Sequence, residues 1–262
     1  MIKVHVWTCG STRVDEALPL ANRSRNPFAF TGIGRSSKNK ITVPVRTYFI
    51  EHPKARILID TGWDTFIREN ALEYEGFFNH FISPGELPAN EAVTEHLARV
   101  GYKAEDLDYC ILTHMDIDHV GGIRLVRNAK KIMVSQAEWN ATKTCNPRYR
   151  RKLWEKIHIE TFPDKVVDLL GDGTIQLIPM YGHSAGMTAV RVGTSEQYLI
   201  IAGDAGYLRD SWMKEILPGV TWNKEKTKIS LHKLHQYGMD EKCKAILMTH
   251  DTEKLPLYYE LK

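Results

Sequence analysis

The sequence predicts an α/β fold, and three observations support this fold class. Short apolar runs that are typical of buried strands alternate along the chain with segments of helical spacing. Several of these runs end just before a polar residue, and α/β proteins place functional groups at strand ends in this way. No repeat, low-complexity tract or linker interrupts residues 1–262, so we expect one domain.

In the amino-terminal part, residues 2–6 alternate as a strand does. Residues 10–40 are rich in Arg, Ser, Asn and Gly without periodicity, which predicts a long loop. Two strands are predicted at 42–51 and 56–60. Residues 63–88 mix aromatic and polar side chains, which predicts short helices forming a flap. A lid over a pocket and a dimer contact are both open interpretations of this flap.

The rest of the chain continues the alternation of helices and strands. Asn90 is a favourable N-cap and Gly101 a favourable stop for one helix. The other predicted elements are strands at 109–112, 175–179, 188–192, 198–202 and 245–248, the last of these being the final strand, with helical regions at 136–157 and 231–237.

Composition and charge exclude several classes of protein but do not indicate an activity. A formal net charge of +3 is too small to indicate binding of nucleic acid or of an anionic membrane. No apolar run approaches the roughly 20 residues of a membrane span. The first residues lack the charged start and apolar core of a signal peptide. The four cysteines form no Cys-x-x-Cys pair. We therefore expect a cytoplasmic protein with no nucleic-acid or membrane partner.

The most informative feature is the hexapeptide His114-Met-Asp-Ile-Asp-His119, which Gly121-Gly122 follows closely. Four side chains that commonly ligate metals lie within six positions, directly after a predicted buried strand. Zinc and similar ions take imidazole nitrogen and carboxylate oxygen as ligands. The two glycines suit a tight turn into a helix. A solvated acidic turn with incidental histidines is the alternative, which the density of the motif disfavours.

Three further candidates follow other apolar runs, namely His183, Asp204 and His250. Taken singly, they could be a loop histidine, a helix cap and a surface residue. Together with the hexapeptide they make a set large enough for two ions with one shared carboxylate. The seven candidate ligands are His114, Asp116, Asp118, His119, His183, Asp204 and His250.

These motifs together resemble the metallo-β-lactamase-fold hydrolases, in family order over nearly the whole chain. The resemblance rests on Leu58-Ile-Asp-Thr-Gly62, the hexapeptide with its two glycines, Gly182-His-Ser184, Gly203-Asp204 and Thr249-His250. It implies a four-layer αββα sandwich of two mixed sheets flanked by helices, with a two-metal site at the sheet edge. It also implies one ion held by His114, Asp116 and His183, another held by Asp118, His119 and His250, and Asp204 bridging them.

Within that superfamily, the sequence is similar to the quorum-quenching N-acyl-homoserine lactonases. The similar features are Val43-Pro-Val45, the aromatic segment after Gly62, and Tyr207 three residues beyond Asp204. The resemblance implies a hydrolase that opens a lactone or ester of a small molecule, most readily an N-acyl-homoserine lactone. A hydroxide bridging the ions would attack the carbonyl, with Tyr207 polarising its oxygen and Asp118 shuttling the proton. The alternative for Tyr207 is a packed aromatic whose hydroxyl is bonded elsewhere.

The sequence departs from the lactonase pattern at two positions. Asp116 stands where the usual His-x-His-x-Asp-His motif has its second histidine, and a DNA-uptake nuclease branch is similar in this respect. The extra carboxylate makes manganese or iron reasonable alternatives to two zinc ions. Asp116 is either a ligand or too short to reach the metal. Met187 replaces a histidine that would support His183.

Other activities remain open at this stage because a fold does not determine a substrate. A phosphodiesterase, a thioesterase and a catalytically silent metal-binding relative are the alternatives. No dense stripe of Lys and Arg with interleaved aromatics accompanies the site, which disfavours nucleic acid as a substrate. Substrate, acyl-chain preference and metal identity are left undecided. So is the oligomeric state, for which a homodimer is one option.

Overall fold

Thirteen strands form two mixed sheets in the computed structural model, which describes residues 1–262. The first sheet has the order β13 (Tyr258–Leu261), β1 (Ile2–Asp15), β2 (Lys40–Glu51), β3 (Arg56–Ile59), β5 (Tyr109–Ile111), β6 (Ile132–Ser135) and β7 (Glu160–Phe162), with β4 (Gly85–Glu86) pairing with β1. The second has the order β12 (Cys243–Met248), β11 (Tyr198–Gly203), β10 (Thr188–Gly193), β9 (Ile175–Pro179) and β8 (Val167–Asp168).

Seven α-helices and several short 3₁₀ turns surround the sheets. The helices are α1 (Ile67–Glu75), α2 (Phe77–Ile82), α3 (Val93–Arg99), α4 (Ile117–Val120), α5 (Gln136–Ala141), α6 (Arg209–Met213) and α7 (Lys224–Met239). The 3₁₀ turns span Ala21–Arg23, Ala29–Thr31, Ser37–Asn39, Ala104–Asp106, Gly121–Val126 and Arg151–Leu153. No helix combines the length and the apolar character that crossing a membrane requires.

The alternation of side chains along the central strands explains the layers. In β3, Ile57 and Ile59 belong to the core between the two sheets, whereas Leu58 packs on the opposite face with α3. In β11, Leu199 faces the same inter-sheet core and Ile200 packs with α7. Since successive strand residues point to opposite faces, both faces are covered and the runs are continuously apolar. The predicted αββα sandwich is confirmed.

Strand direction determines where functional side chains meet. The neighbours β3, β5, β6 and β7 run parallel, and β11 runs parallel to β12. Two hydrogen bonds tie the sheets together near the end of β12. The Tyr48 hydroxyl donates to the Met248 carbonyl at 3.0 Å, and the Arg46 amide donates to the Thr249 carbonyl at 3.2 Å. The carboxyl ends of the two parallel sets therefore lie close together at one edge of the sandwich.

The long loop predicted at 10–40 begins later than expected. Strand β1 continues through residues 10–15 and pairs with β2 as far as Asp15. A register shift between Thr8 and Ser11 interrupts the alternation, and Gly10 has a φ of +98° there. Because a β-bulge breaks the period-2 pattern, the sequence after it does not look like a strand.

Several other element predictions were wrong in detail. Asn90 adopts a φ of +69° in the preceding turn, and Ala92 is the N-cap of α3. The Glu95 carboxylate accepts the Ala92 amide at 2.7 Å, which supplies the cap. The helix predicted at 136–157 ends at Ala141, and residues 142–150 form turns and irregular structure. Strands β4, β6, β7 and β8 were missed, and β13 follows the predicted final strand.

The two glycines after the hexapeptide serve close packing and not the predicted tight turn. They lie in the 3₁₀ turn that continues α4. A Cβ on Gly122 would be 2.5 Å from the Thr61 carbonyl oxygen, and one on Gly121 would be 2.2 Å from the Tyr74 hydroxyl. The Gly122 amide donates to the Gly62 carbonyl at 2.7 Å. These contacts hold α4 against the segment that follows β3.

We expect Gly122→Ala to destabilise the fold by about 2 kcal/mol, because its Cβ would overlap a backbone oxygen that cannot rotate away. Urea unfolding in the presence of a chelator measures the change without a contribution from bound metal. The control is Ile229→Ala on the exposed face of α7, which should change stability by less than about 0.5 kcal/mol. Equal stability of both variants would contradict the packing argument.

Candidate metal centre

Four segments deliver the predicted ligands to the edge where the sheets meet. His114 follows β5, His183 lies between β9 and β10, Asp204 follows β11, and His250 follows β12. The chain then turns directly from β5 into α4, which places the rest of the hexapeptide. Asp116 occupies the N-cap position of α4, where its backbone is still extended (φ −70°, ψ 152°).

All seven side chains converge in the structure. Their ligand atoms form three overlapping groups in which every pair of atoms lies within 4.8 Å. The groups are His114, Asp116 and His183; His114, His119 and Asp204; and Asp118, His119 and His250. Asp204 lies between the two outer groups, with its carboxylate 3.3 Å from His119 Nε2, 3.3 Å from His250 Nε2 and 3.7 Å from His183 Nε2. The spacing expected between ligand atoms around one tetrahedral ion is roughly 3.4 Å.

Hydrogen bonds at Nδ1 orient the imidazoles so that Nε2 points into the centre. His250 Nδ1 donates to the Pro44 carbonyl at 2.9 Å, and His119 Nδ1 donates to Asp60 at 2.8 Å. His114 Nδ1 lies 3.0 Å from the Thr113 hydroxyl, which itself donates to Asp60. Since carbonyl and carboxylate oxygens accept hydrogen bonds, each Nε2 keeps its lone pair for a ligand.

Asp60 is the main brace of this arrangement. Its carboxylate accepts the Thr113 amide at 2.7 Å, the Thr113 hydroxyl at 2.8 Å and His119 Nδ1 at 2.8 Å. Its backbone has a φ of +60°, a region that aspartate tolerates better than most residues. Asp60 therefore joins the end of β3 to the residue before His114 and to α4.

Glu138 also holds the site together through hydrogen bonds, a role that the sequence analysis did not predict. Its buried carboxylate accepts the Met115 amide at 3.1 Å and the Gly186 amide at 2.9 Å. The Tyr149 hydroxyl also donates to it at 3.2 Å. Glu138 thus connects the hexapeptide with the loop that carries His183. A glutamate in a short helix after a strand carries no local signal of this role.

Arg148 was also missed, and it lies inside the cluster. Its Nε and Nη2 both contact the Asp116 carboxylate, Nη2 at 2.6 Å from Oδ2. Nη1 donates to the His183 carbonyl at 2.7 Å, and Nη2 also contacts His183 Nε2. The extra carboxylate at position 116 was the only sequence signal for a cation here. The segment around Arg148 has no regular structure that would have placed it.

Electrostatics divide the centre into two unlike halves. Burial lowers the pKa of His250, but the carboxylates of Asp204 and Asp118 outweigh it and raise the pKa to about 10. By contrast, burial and the neighbouring guanidinium of Arg148 lower the pKa of His183 to about 4. Burial opposes ionisation of Asp116, yet Arg148 holds the pKa of that carboxyl well below its usual range. One half therefore attracts positive charge, and the other already contains a cation.

The polar atoms left without partners fit bound metal. His114 Nε2, His119 Nε2 and Asp204 Oδ1 are buried and make no hydrogen bond. An unpartnered buried polar atom is costly, and an ion bound in the cluster would satisfy these three atoms together. Imidazole and carboxylate donors at these distances suit zinc and similar divalent ions. The buried His/Asp clusters are thus consistent with a dinuclear metal site, although Arg148 contacts two ligand atoms in one half.

Tyr207 lies beside the cluster, where its position in the sequence predicts it. Its ring stacks on His250 with centroids 5.2 Å apart, and its hydroxyl is 3.4 Å from His183 Nδ1. Burial raises the pKa of Tyr207 well above its usual value, and the carboxylates of Asp204 and Asp116 add to the effect. The hydroxyl therefore stays protonated at neutral pH and faces the same cavity as the cluster.

That cavity has a volume of about 430 Å³. Its lining includes Asp116, Asp118, Asp204 and His250 of the cluster, Tyr207, and apolar side chains of five segments: β1 with the loop after it, β2, α2, α4 and residues 220–222. The apolar lining residues are Val14, Leu18, Phe30, Val43, Phe78, Ile82, Ile117, Val220 and Trp222. The flap predicted at 63–88 thus contributes α2 to the cavity wall.

Comparisons of the sequence with known proteins identify the family. The model of the metallo-beta-lactamase superfamily matches residues 41–238. An N-acyl homoserine lactonase of Bacillus cereus is 28% identical over 221 residues, which cover 82% of this chain and 84% of that protein. A probable metallo-hydrolase of Mycobacterium tuberculosis is 31% identical over 180 residues, 61% of this chain and 56% of its own.

Solved structures show the same fold. An N-acyl homoserine lactone hydrolase with N-hexanoyl-L-homoserine at its catalytic metal centre superposes with a TM-score of 0.79, at 22% identity over 95% of this chain and 93% of that one. A dizinc quorum-quenching lactonase gives a TM-score of 0.66 at 15% identity over 98% and 92%. The resemblance inferred from the motifs is confirmed. The chain belongs to the metallo-beta-lactamase superfamily, and N-acyl homoserine lactonases are among its relatives.

Proposed function

We propose that the protein is a metal-dependent hydrolase that opens a lactone or ester bond, with N-acyl-homoserine lactones as the leading substrates. The observation that carries the proposal is a cavity whose lining includes part of the His/Asp cluster together with many apolar side chains. A substrate that combines an acyl chain with a polar lactone ring suits such a lining. Burial of each methylene contributes about 0.8 kcal/mol, so the apolar wall favours an acyl chain.

The charge of the cavity wall supports a neutral substrate over a phosphodiester. Arg148 is the single Lys or Arg side chain that lines the cavity, and Asp116 already pairs with its guanidinium. A phosphodiester would add negative charge next to Asp118 and Asp204, whereas a lactone adds none before reaction. Phosphate recognition usually relies on free arginine or lysine side chains.

Each polar residue at the cavity has a task that its environment permits. The protonated Tyr207 hydroxyl donates a hydrogen bond to the carbonyl oxygen as negative charge develops on it. Although burial opposes it, the imidazoles of His119 and His250 lower the pKa of Asp118, so its carboxylate is ionised at neutral pH. We assign to this carboxylate the transfer of a proton to the leaving oxygen. A divalent ion held by the imidazoles and carboxylates of the cluster, for which zinc is suited, would polarise the carbonyl and make water nucleophilic at neutral pH.

The test of the proposed function is an acid-release assay with a pH indicator on N-acyl-homoserine lactones of short and long chains, with a phosphodiester as comparison. We expect turnover of lactones, faster for chains long enough to contact the apolar lining of the cavity. Chelation should abolish turnover and added zinc should restore it. Turnover of the phosphodiester without lactone opening would refute the substrate assignment.

Asp204→Asn should reduce both bound zinc and lactone turnover, the latter by about 100-fold or more. Asp204 lies within 3.7 Å of three imidazole nitrogens, and an amide supplies neither its charge nor its second anionic oxygen. Elemental analysis and initial rates measure the two effects. The same change at the exposed Asp210, which pairs with Lys214, is the control and should alter neither quantity. Retention of metal and full turnover by Asp204→Asn would contradict the role of Asp204.

Tyr207→Phe should lower kcat by about 10²-fold while leaving the metal content unchanged, because it removes one donor to the developing oxyanion. The packed-aromatic alternative predicts no change in kcat, since phenylalanine preserves the ring that stacks on His250. Tyr237→Phe, a change on α7 away from the cavity, provides the matched control. Steady-state kinetics with a lactone substrate distinguish the two roles of Tyr207.

A further inference from the structure

The guanidinium of Arg148 places a positive charge inside the His/Asp cluster. Its guanidinium binds both carboxylate oxygens of Asp116 and also contacts the carbonyl and Nε2 of His183. The Arg148 side chain is 16% exposed, so this ion pair is largely withdrawn from solvent. Arginine remains charged at every pH that proteins tolerate, and a bidentate pair of this kind has well-defined geometry.

The guanidinium and a metal ion would use the same atoms. Asp116 Oδ2 and His183 Nε2 lie 3.0 Å apart and belong, with His114, to one of the candidate ligand groups. Arg148 Nη2 is hydrogen-bonded to both atoms and lies 2.6 Å from Asp116 Oδ2. An ion bonded to both would need to lie about 2.1 Å from each. Because a neutral imidazole has one lone pair, His183 Nε2 cannot accept from Nη2 and bind such an ion at the same time.

The other ligand group is free of this competition. Asp118 Oδ2 lies 3.3 Å from His250 Nε2 and 4.0 Å from His119 Nε2, and Asp204 approaches both imidazoles. Neither carboxylate forms an ion pair with Lys or Arg. The partners of these two carboxylates are imidazoles, so an ion can bind there without displacing an arginine or lysine.

We propose that Arg148 takes the place of the second metal ion, so that the protein holds one ion tightly, at Asp118, His119, His250 and Asp204. A second ion binds only when the guanidinium leaves Asp116 and His183. The charges agree with this assignment, because the guanidinium of Arg148 already neutralises the Asp116 carboxylate, which therefore needs no metal ion to compensate it. The proposal rests on the metal centre of the proposed function and not on the identity of its substrate.

The test is the number and affinity of zinc ions bound by the metal-free protein, measured by calorimetric titration and by elemental analysis after desalting. We expect one tight site per chain and a second site at least 100-fold weaker. Two sites with affinities within tenfold of one another in the unaltered protein would overturn the proposal. This comparison needs no variant, so a failure of variants to fold does not affect it.

Arg148→Ala and Arg148→Met should strengthen the second site by tenfold or more, because each removes the competing guanidinium. An unchanged difference between the sites in folded variants would overturn the proposal. Arg124→Ala is the matched control, since it removes a bidentate arginine–aspartate pair with Asp64 away from the cavity. It should bind zinc as the unaltered protein does, and a strengthened second site in it would overturn the assignment to Arg148.

The titration also separates this inference from the proposed substrate. A protein that binds one zinc ion tightly but opens no lactone would overturn the lactonase proposal and support the role of Arg148. A lactonase with two equally tight ions would support the activity and overturn the role of Arg148.

Discussion

The concentration of carboxylates between the ends of β5, β11 and β12 is the constraint on which the site depends. A buried carboxylate needs hydrogen-bond donors or a cation, since leaving it uncompensated is costly. Asp60 is satisfied by Thr113 and His119, and Asp116 by Arg148. Asp118 and Asp204 have only imidazoles as neighbours. One half of the centre thus has an arginine beside its carboxylate and the other has only imidazoles, which explains why the two halves are chemically unlike.

The parts of the site that could be predicted from sequence are those encoded locally. The hexapeptide lies within six residues, and His183, Asp204 and His250 each follow an apolar run that marks a buried strand. Arg148 and Glu138 could not be found in this way. The partners of Arg148 lie 32 or more residues away along the chain. Apart from Tyr149, the groups that donate hydrogen bonds to the Glu138 carboxylate lie 23 or more residues away. Only the folded structure shows that the Arg148 guanidinium pairs with the Asp116 carboxylate and neutralises its charge.

The errors in the fold have local causes. The bulge near Gly10 disrupts the alternation on which recognition of β1 depended. Asn90 is a residue type that is favoured at N-caps. The N-cap of α3 is nevertheless Ala92, whose amide donates to the Glu95 carboxylate. The αββα layers were implied by the resemblance to a known family. Their basis is visible in runs such as 57–59 and 199–202, which are apolar at every position because both sheet faces are covered.

Glu138 has a consequence for the entropy of the centre. By accepting the amides of Met115 and Gly186, its carboxylate links two loops that are 71 residues apart. The loss of conformational freedom needed to bring His114 and His183 together is therefore incurred when the chain folds and not when a ligand arrives. An arrangement fixed in advance leaves more of the interaction energy with a bound ligand available as affinity and orientation. Glu138, which lies outside the cavity, thereby reduces the conformational entropy that the two loops would otherwise lose when a ligand binds.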